Sequence, residues 1–182
     1  MVNSYYNENE LSQIGFKSYG KNVKISKLCS IYGADNIIIG NNVRIDDFCI
    51  LSGKIKIGDF VHISAYNALY GRYGIEIGNF CGISPKSIIY SATDDFSGEH
   101  MISPMVPEKY TKLYTGKVTL EDFVQIGSNS IIMPNITIYE GACTGAFCFV
   151  NKSLKPWNIY IGIPARVLKE RKKNIKELSK EI

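Results

Sequence analysis

The chain has 182 residues, 45% hydrophobic and 21% charged, with a net charge of +4. That is about one domain with enough apolar material for a core. No apolar run approaches the roughly 20 residues of a membrane-spanning helix. The charge suits an anionic small molecule and is no nucleic-acid signature. The five cysteines (Cys29, Cys49, Cys81, Cys143, Cys148) are odd in number and form no CxxC pair. Reduced thiols in a cytoplasmic protein are therefore expected.

The first stretch, "MVNSYYNENELSQ", has neither the basic nor the apolar region of a signal peptide. Residues 1–19 read as a segment outside the regular pattern. A loose six-residue repeat covers Val23 to Ile37, and from Ile39 it becomes regular: "IGNNVR", "IDDFCI", "LSGKIK", "IGDFVH", "ISAYNA", "LYGRYG". After two extra residues it resumes as "IGNFCG" and "ISPKSI". The first residue of each block is Ile or Leu, and the fifth is usually apolar, as at Val43, Cys49, Ile55 and Val61. A period of six fits no α-helix. It places fifth and first positions on one inward strand face. The second and third positions carry Gly, Asn and Asp, including Gly40, Asn41, Asp46, Asp47, Gly58, Asp59, Gly78, Asn79 and Gly127. Those residues tolerate the positive φ of a tight corner. Strand and corner in alternation predict an all-β solenoid of three-sided coils over 20–165, stacked by parallel pairing.

Residues 91–117 break the rhythm with "SATDDFSGEHMISPMVPEKYTKLYTGK". Hexads on both sides are intact, so this is a loop protruding from the solenoid. Such insertions map to one face, often the binding face. The loop holds Asp94, Asp95, Glu99 and His100, one of only two histidines. The repeat then returns as "IGSNSI", "IMPNIT", "IYEGAC", "TGAFCF", "VNKSLK". Residues 166–182, with seven Lys or Arg and three Glu beside Val167, Leu168, Ile175 and Leu178, predict a short amphipathic C-terminal α-helix packed on the solenoid or a neighbouring subunit.

The hexads resemble the hexapeptide-repeat family, whose fold is a left-handed parallel β-helix; the hand comes from that resemblance. Fold alone does not fix function, because such helices include acyltransferases, zinc enzymes of the carbonic-anhydrase type and bare scaffolds. The family's zinc site takes three histidines. Here only His62 and His100 exist, and Cys29, Cys49, Cys81 and Cys148 fall at inward positions, so no metal is expected.

The C-terminal run "IGSNS…TGAFCFVNKSLKPWNIYIGIPARVLKERKK" resembles the coenzyme-A-binding coils of the thiogalactoside, maltose and xenobiotic acetyltransferases. The resemblance implies cofactor roles for Ser128, Gly145, Ala146, Asn151, Lys152, Arg166 and Lys169. Small Gly145 and Ala146 let a pantetheine arm lie flat, and the basic residues suit its phosphates. Gln125 stands where many relatives carry Trp, and Asn151 where the family usually has Thr.

In the family's O-acetyltransferases a histidine base follows "AT" or "TG"; here the matching stretch is "SATDD", with Asp94 and Asp95 in its place. A hydroxyl acceptor needs a strong base, whereas a partly neutral amine is already nucleophilic. The stretch also resembles acetyltransferases that act on nucleotide-linked amino sugars of bacterial surface polysaccharides. The expectation is a trimeric, cytoplasmic, acetyl-coenzyme-A-dependent N-acetyltransferase of that class. Asp94, Asp95 or His100 would serve catalysis, and Asn67, His62 and Glu99 the acceptor. The inward Asn67 has an equal alternative as a corner-holding residue. Two alternatives stand beside this reading: a sugar O-acetyltransferase with His100 as base, and a non-catalytic scaffold.

Overall fold

The computed structural model describes residues 4–182, so the first three residues of the N-terminal stretch lie outside the described residues. The inward positions of the hexads are what the solenoid is wound around. Ile39, Ile45, Leu51, Ile57, Ile63 and Leu69 are buried, as are Val43, Cys49, Ile55 and Val61 and, beyond the loop, Leu120, Val124, Ile126, Ile132, Ile136 and Ile138. Between each inward pair one residue faces out, as Arg44 does between Val43 and Ile45.

Three faces result. The first collects Ser18–Tyr19, Ile37–Ile39, the later halves of Ile50–Ile57 and Ala68–Ile77, Val118–Leu120 and Thr137–Ile138. The second collects Lys24–Ile25, Arg44–Ile45, His62–Ile63, Gly82–Ile83, Gln125–Ile126, Cys143–Thr144 and Asn158–Ile161. The third collects Ser30–Tyr32, the earlier halves of Ile50–Ile57 and Ala68–Ile77, Ile88–Tyr90, Ile131–Ile132 and Phe149–Val150. Neighbours within a face pair in parallel, giving a left-handed β-helix of about seven turns.

The corners differ from expectation in an instructive way. Positive φ falls on Asn42, Phe60, Phe80, Phe123 and Trp157 at the first corner, and on Phe48, Tyr66, Lys86, Asn129 and Phe147 at the second. The Asp and Asn residues beside them act as hydrogen-bond acceptors instead. The Oδ1 atoms of Asp59, Asn79 and Asp122 accept the backbone N–H of Asn41, Asp59 and Asn79 at 2.6, 2.8 and 2.6 Å. Left-handed backbone costs a non-glycine residue roughly 1–2 kcal/mol. Ring contacts offset it: Phe60–Phe80 and Phe80–Phe123 stack with centroids 4.9 and 5.3 Å apart, and Trp157 packs tilted on Phe123 at 6.1 Å.

Both ends are closed. The helix Glu8–Ile14 starts on Asn7, which exchanges capping hydrogen bonds with Glu10 at 2.8 and 2.9 Å, and buries Leu11. Ser18–Tyr19 already pairs with Ile38 and Ile39, so the solenoid begins inside the segment assigned to 1–19. At the other end Arg166–Glu170 is a strand, antiparallel to Asn158–Ile161, where the sequence suggested helix. The last coil offers an unpaired edge, and satisfying those backbone groups outweighs helix propensity. The helix is confined to Asn174–Leu178. Arg171 Nη1 donates to the carbonyls of Phe123 and Gly141 at 2.7 and 3.0 Å, and Lys173 and Lys176 lie over the Trp157 ring. The C-terminal segment thus covers the upper aromatic ladder.

The third corner varies in length along the chain. It holds the 3-10 turn Ala34–Asn36, then residues 53–54, then residues 71–74, then the long loop. The two extra residues of the repeat are taken up here: Gly74 turns at φ 106°, Tyr73 faces out, and Ile75 resumes the core.

Candidate active site

The loop is anchored before it leaves the solenoid. Ser91 is fully buried, donates to the Tyr70 carbonyl at 2.8 Å and accepts the Tyr73 N–H at 2.9 Å. Ala92–Asp94 and Leu113–Thr115 then form an antiparallel stem in which Asp94 faces Leu113. A second tie, from Met101 N–H to the Tyr110 carbonyl at 2.9 Å, folds the loop over itself.

The two adjacent aspartates have opposite surroundings. Asp95 accepts from the Ser97 N–H at 2.9 Å, the Ser97 hydroxyl at 2.8 Å and His100 Nδ1 at 2.9 Å. Those donors, led by the Ser97 backbone N–H and followed by His100, hold its carboxyl down at about 2. Asp94 has no side-chain hydrogen bond or ion pair among the described residues. It lines two clefts at once. One, of about 490 Å³, also has Arg72, Tyr73 and Thr115 in its walls; the other, of about 450 Å³, has Asp95, Phe96, Glu99, Tyr114 and Met133. His100 borders neither. A larger concavity of about 520 Å³ on the first face is walled by Glu76, Glu121, Asp122 and Glu140. Lys56 is the one cation in that lining, so its net acidic charge disfavours anionic substrates.

The remaining expected site residues divide by corner. Ser128, Gly145 and Ala146 lie on the second corner of the upper coils, where Phe147 N–H donates to the Ser128 carbonyl at 2.8 Å. Arg166 joins them through its pairing with Ile161. Lys169 is farther along the same strand, opposite Ile159. Asn151 and Lys152 are exposed on the third corner, after Phe149–Val150. One subunit therefore separates Asp94 and Lys152 from Ser128, Ala146 and Arg166 by the width of the third face.

Two acceptor residues are displaced from the expected cleft. Asn67 is 1% exposed; its Nδ2 donates to the Ser64 carbonyl at 2.6 Å, and its Oδ1 accepts the Ser87 N–H at 2.8 Å. Those internal partners make it a corner-holding residue rather than a substrate ligand. His62 is on the second face with Nε2 2.8 Å from Asp46, which also binds Arg44 at 2.7 Å and Tyr5 at 3.1 Å. Glu99 is exposed within the loop. Sequence reasoning passed over Ser84, on the second corner between Ile83 and Pro85, whose hydroxyl lies 3.2 Å from Gln125 Nε2. It reads as an ordinary corner residue. Among the described residues no group of three His, Cys, Asp or Glu is placed to hold a metal, and no helix is long and apolar enough to cross a membrane.

No family model matches the sequence. Individual relatives do. A dTDP-4-amino-4,6-dideoxy-D-glucose acyltransferase of Escherichia coli is 43% identical over 178 residues, 96% of this chain and 93% of that protein. AntD, an N-acyltransferase from Bacillus cereus, is 53% identical over 100% of this chain and 97% of its own, with a TM-score of 0.98. It has been solved as an S84C mutant with dTDP-4-amino-4,6-dideoxyglucose and coenzyme A. D94A and D94N mutants of AntD have also been solved, with dTDP and coenzyme A. A hexapeptide-repeat acetyltransferase of Vibrio cholerae shares the fold at 22% identity and a TM-score of 0.60. On this likeness and the solenoid itself, the chain belongs to the hexapeptide-repeat acyltransferase family.

Proposed function

We propose that this protein transfers an acyl group, acetyl in the simplest case, from coenzyme A to the amino group of a dTDP-linked amino sugar of the 4-amino-4,6-dideoxy type, in the cytoplasm. The observation that carries the reading is the unpartnered carboxylate of Asp94 between two clefts. The AntD mutants numbered 84 and 94 support it, since this chain has Ser84 and Asp94 at those numbers. The amine lone pair attacks the thioester carbonyl and a C–N bond forms. Asp94 orients the amine and accepts its proton, the C–S bond breaks, and coenzyme A leaves as the thiol after protonation.

The working unit in this proposal is a trimer. The cofactor residues on the second corner and Asp94 and Lys152 on the third meet when one copy lays its third corner against its neighbour's second. A cyclic, head-to-tail arrangement closes such contacts.

The second reading, O-acetyl transfer, has one observation in its favour: a carboxylate beside an imidazole, as in Asp95–His100, orients a general base. His100 faces neither cleft, which favours the amine. The test is thiol release from acetyl- and 3-hydroxybutyryl-coenzyme A against dTDP-linked amino sugars and their hydroxyl counterparts. Release with the amino sugars alone is expected; release with the hydroxyl sugars alone overturns the reading.

A further inference from the structure

Along the second corner the residues with positive φ form a single file: Phe48, Tyr66, Lys86, Asn129, Phe147. The last four each donate their backbone N–H to the corner one coil below. Tyr66 reaches Asp47 at 2.9 Å, Lys86 reaches Ala65 at 3.2 Å, and Asn129 reaches Pro85 at 3.1 Å. Phe48 and Tyr66 stack at 4.9 Å with an interplanar angle of 25°, yet they stay 48% and 54% exposed. The equivalent rings of the first corner, Phe123 and Trp157, are 8% and 7% exposed under the chain's own C-terminal segment. Among the described residues no segment covers the second pair. Lys86, one rung above Tyr66, makes no ion pair among the described residues.

We infer that this file is the seat of the nucleoside diphosphate half of the acceptor. The base stacks on Phe48 and Tyr66, and Lys86 meets the diphosphate. The inference rests on the proposed function and adds where the nucleotide lies. Three features select this occupant. An open aromatic platform takes a planar base. A free ammonium one rung on supplies the charge a diphosphate needs. The same corner continues through Ser84 to Ser128 and Ala146, the positions matched to the cofactor. Rungs are about 4.8 Å apart, so Tyr66 stands roughly 14 Å below Phe147. That spacing lays base, diphosphate and sugar in order along the corner, with the amine toward the thioester.

The test is binding of two probes, thymidine diphosphate and coenzyme A, to wild type, to the double variant Phe48→Ala/Tyr66→Ala and to Lys86→Met, with oligomeric state measured on each. The double variant should weaken thymidine diphosphate about 10- to 100-fold. Lys86→Met should weaken it several-fold and flatten its salt dependence. Coenzyme A binding should change less than twofold in both. Wild-type binding that neither variant weakens overturns the inference and leaves the proposed function standing. Wild type that fails to bind thymidine diphosphate overturns both. If the double variant loses its oligomeric state, Lys86→Met decides: an unaltered affinity there means the aromatic pair is a subunit contact, and the inference is wrong.

Discussion

The first and third corners are wound from the same hexads and are finished in opposite ways. At the first, Asp59, Asn79 and Asp122 each cap a backbone N–H, the aromatic ladder is continuous, and Arg171, Lys173 and Lys176 close its upper end. At the third the corners vary in length until, after Ile88–Tyr90, a long loop emerges, and that loop leaves a carboxylate, Asp94, without a side-chain partner among the described residues. A corner whose polar groups satisfy one another has no capacity left for a substrate. The third corner instead leaves a half-buried carboxylate at the edge of two clefts, free to meet a ligand.

Changing Asp94 should produce the largest effect on catalysis. Asp94→Asn keeps the shape and removes the proton acceptor, so turnover should fall at least about 10²-fold, the lower end for general-base groups. The melting temperature should stay near wild type, because no native contact is lost. His100→Asn should cost far less turnover; the reverse order, measured with the true acceptor, would favour the hydroxyl reading.

The first corner should answer in stability instead. Trp157→Ala removes a ring that is 7% exposed and packs against Phe123 and two lysines. It should cost about 3 kcal/mol of unfolding free energy, with turnover per folded molecule nearly unchanged. Gly141→Ala should act in the same direction, since Gly141 sits at φ 66° against the Trp157 ring. Equilibrium denaturation followed by assay of the folded fraction separates the two corners. A Trp157→Ala variant that is stable but inactive would erase the contrast.

Lys152→Ala tests the cofactor side of the third corner. Losing one charge-assisted donor should raise KM for acyl-coenzyme A about tenfold and leave the acceptor KM nearly unaltered. The smallest effect is one of pH. The Asp95 carboxyl is held at about 2 in the folded loop, below the ordinary carboxylate value. Its stabilising bonds are therefore fully present above about pH 4 and are lost as pH falls through 2. Limited proteolysis of the loop should be flat from pH 8 to about pH 4 and rise below it, with Asp95→Asn cut faster throughout.

The solenoid was legible because its signal is local: inward Ile45 and Val43 announce the strand wherever the block occurs. The C-terminal strand was not, because "RVLKE" pairs only in response to the open edge of Asn158–Ile161, which no short window contains. Asp94 and Asp95 are neighbours of the same residue type, and only the turn through Ser97 and His100 tells them apart. Asn67 was correctly placed inward, yet only its partners Ser64 and Ser87 exclude a substrate role. The residues expected to hold the cofactor read in the sequence as a list; their division between two corners is a property of the wound chain.

That division is also where the account is most exposed. If each site joins the third corner of one copy to the second corner of the next, two inactive variants should rescue each other. Asp94→Ala disables the third corner, and Ala146→Trp fills the cofactor's place on the second. Mixed in equal amounts by co-expression, a trimer then holds complete sites at about a quarter of its interfaces. Activity of that order from two proteins that are each inactive alone is the expected result. Mixed trimers that form and remain inactive would mean that one subunit carries the whole site.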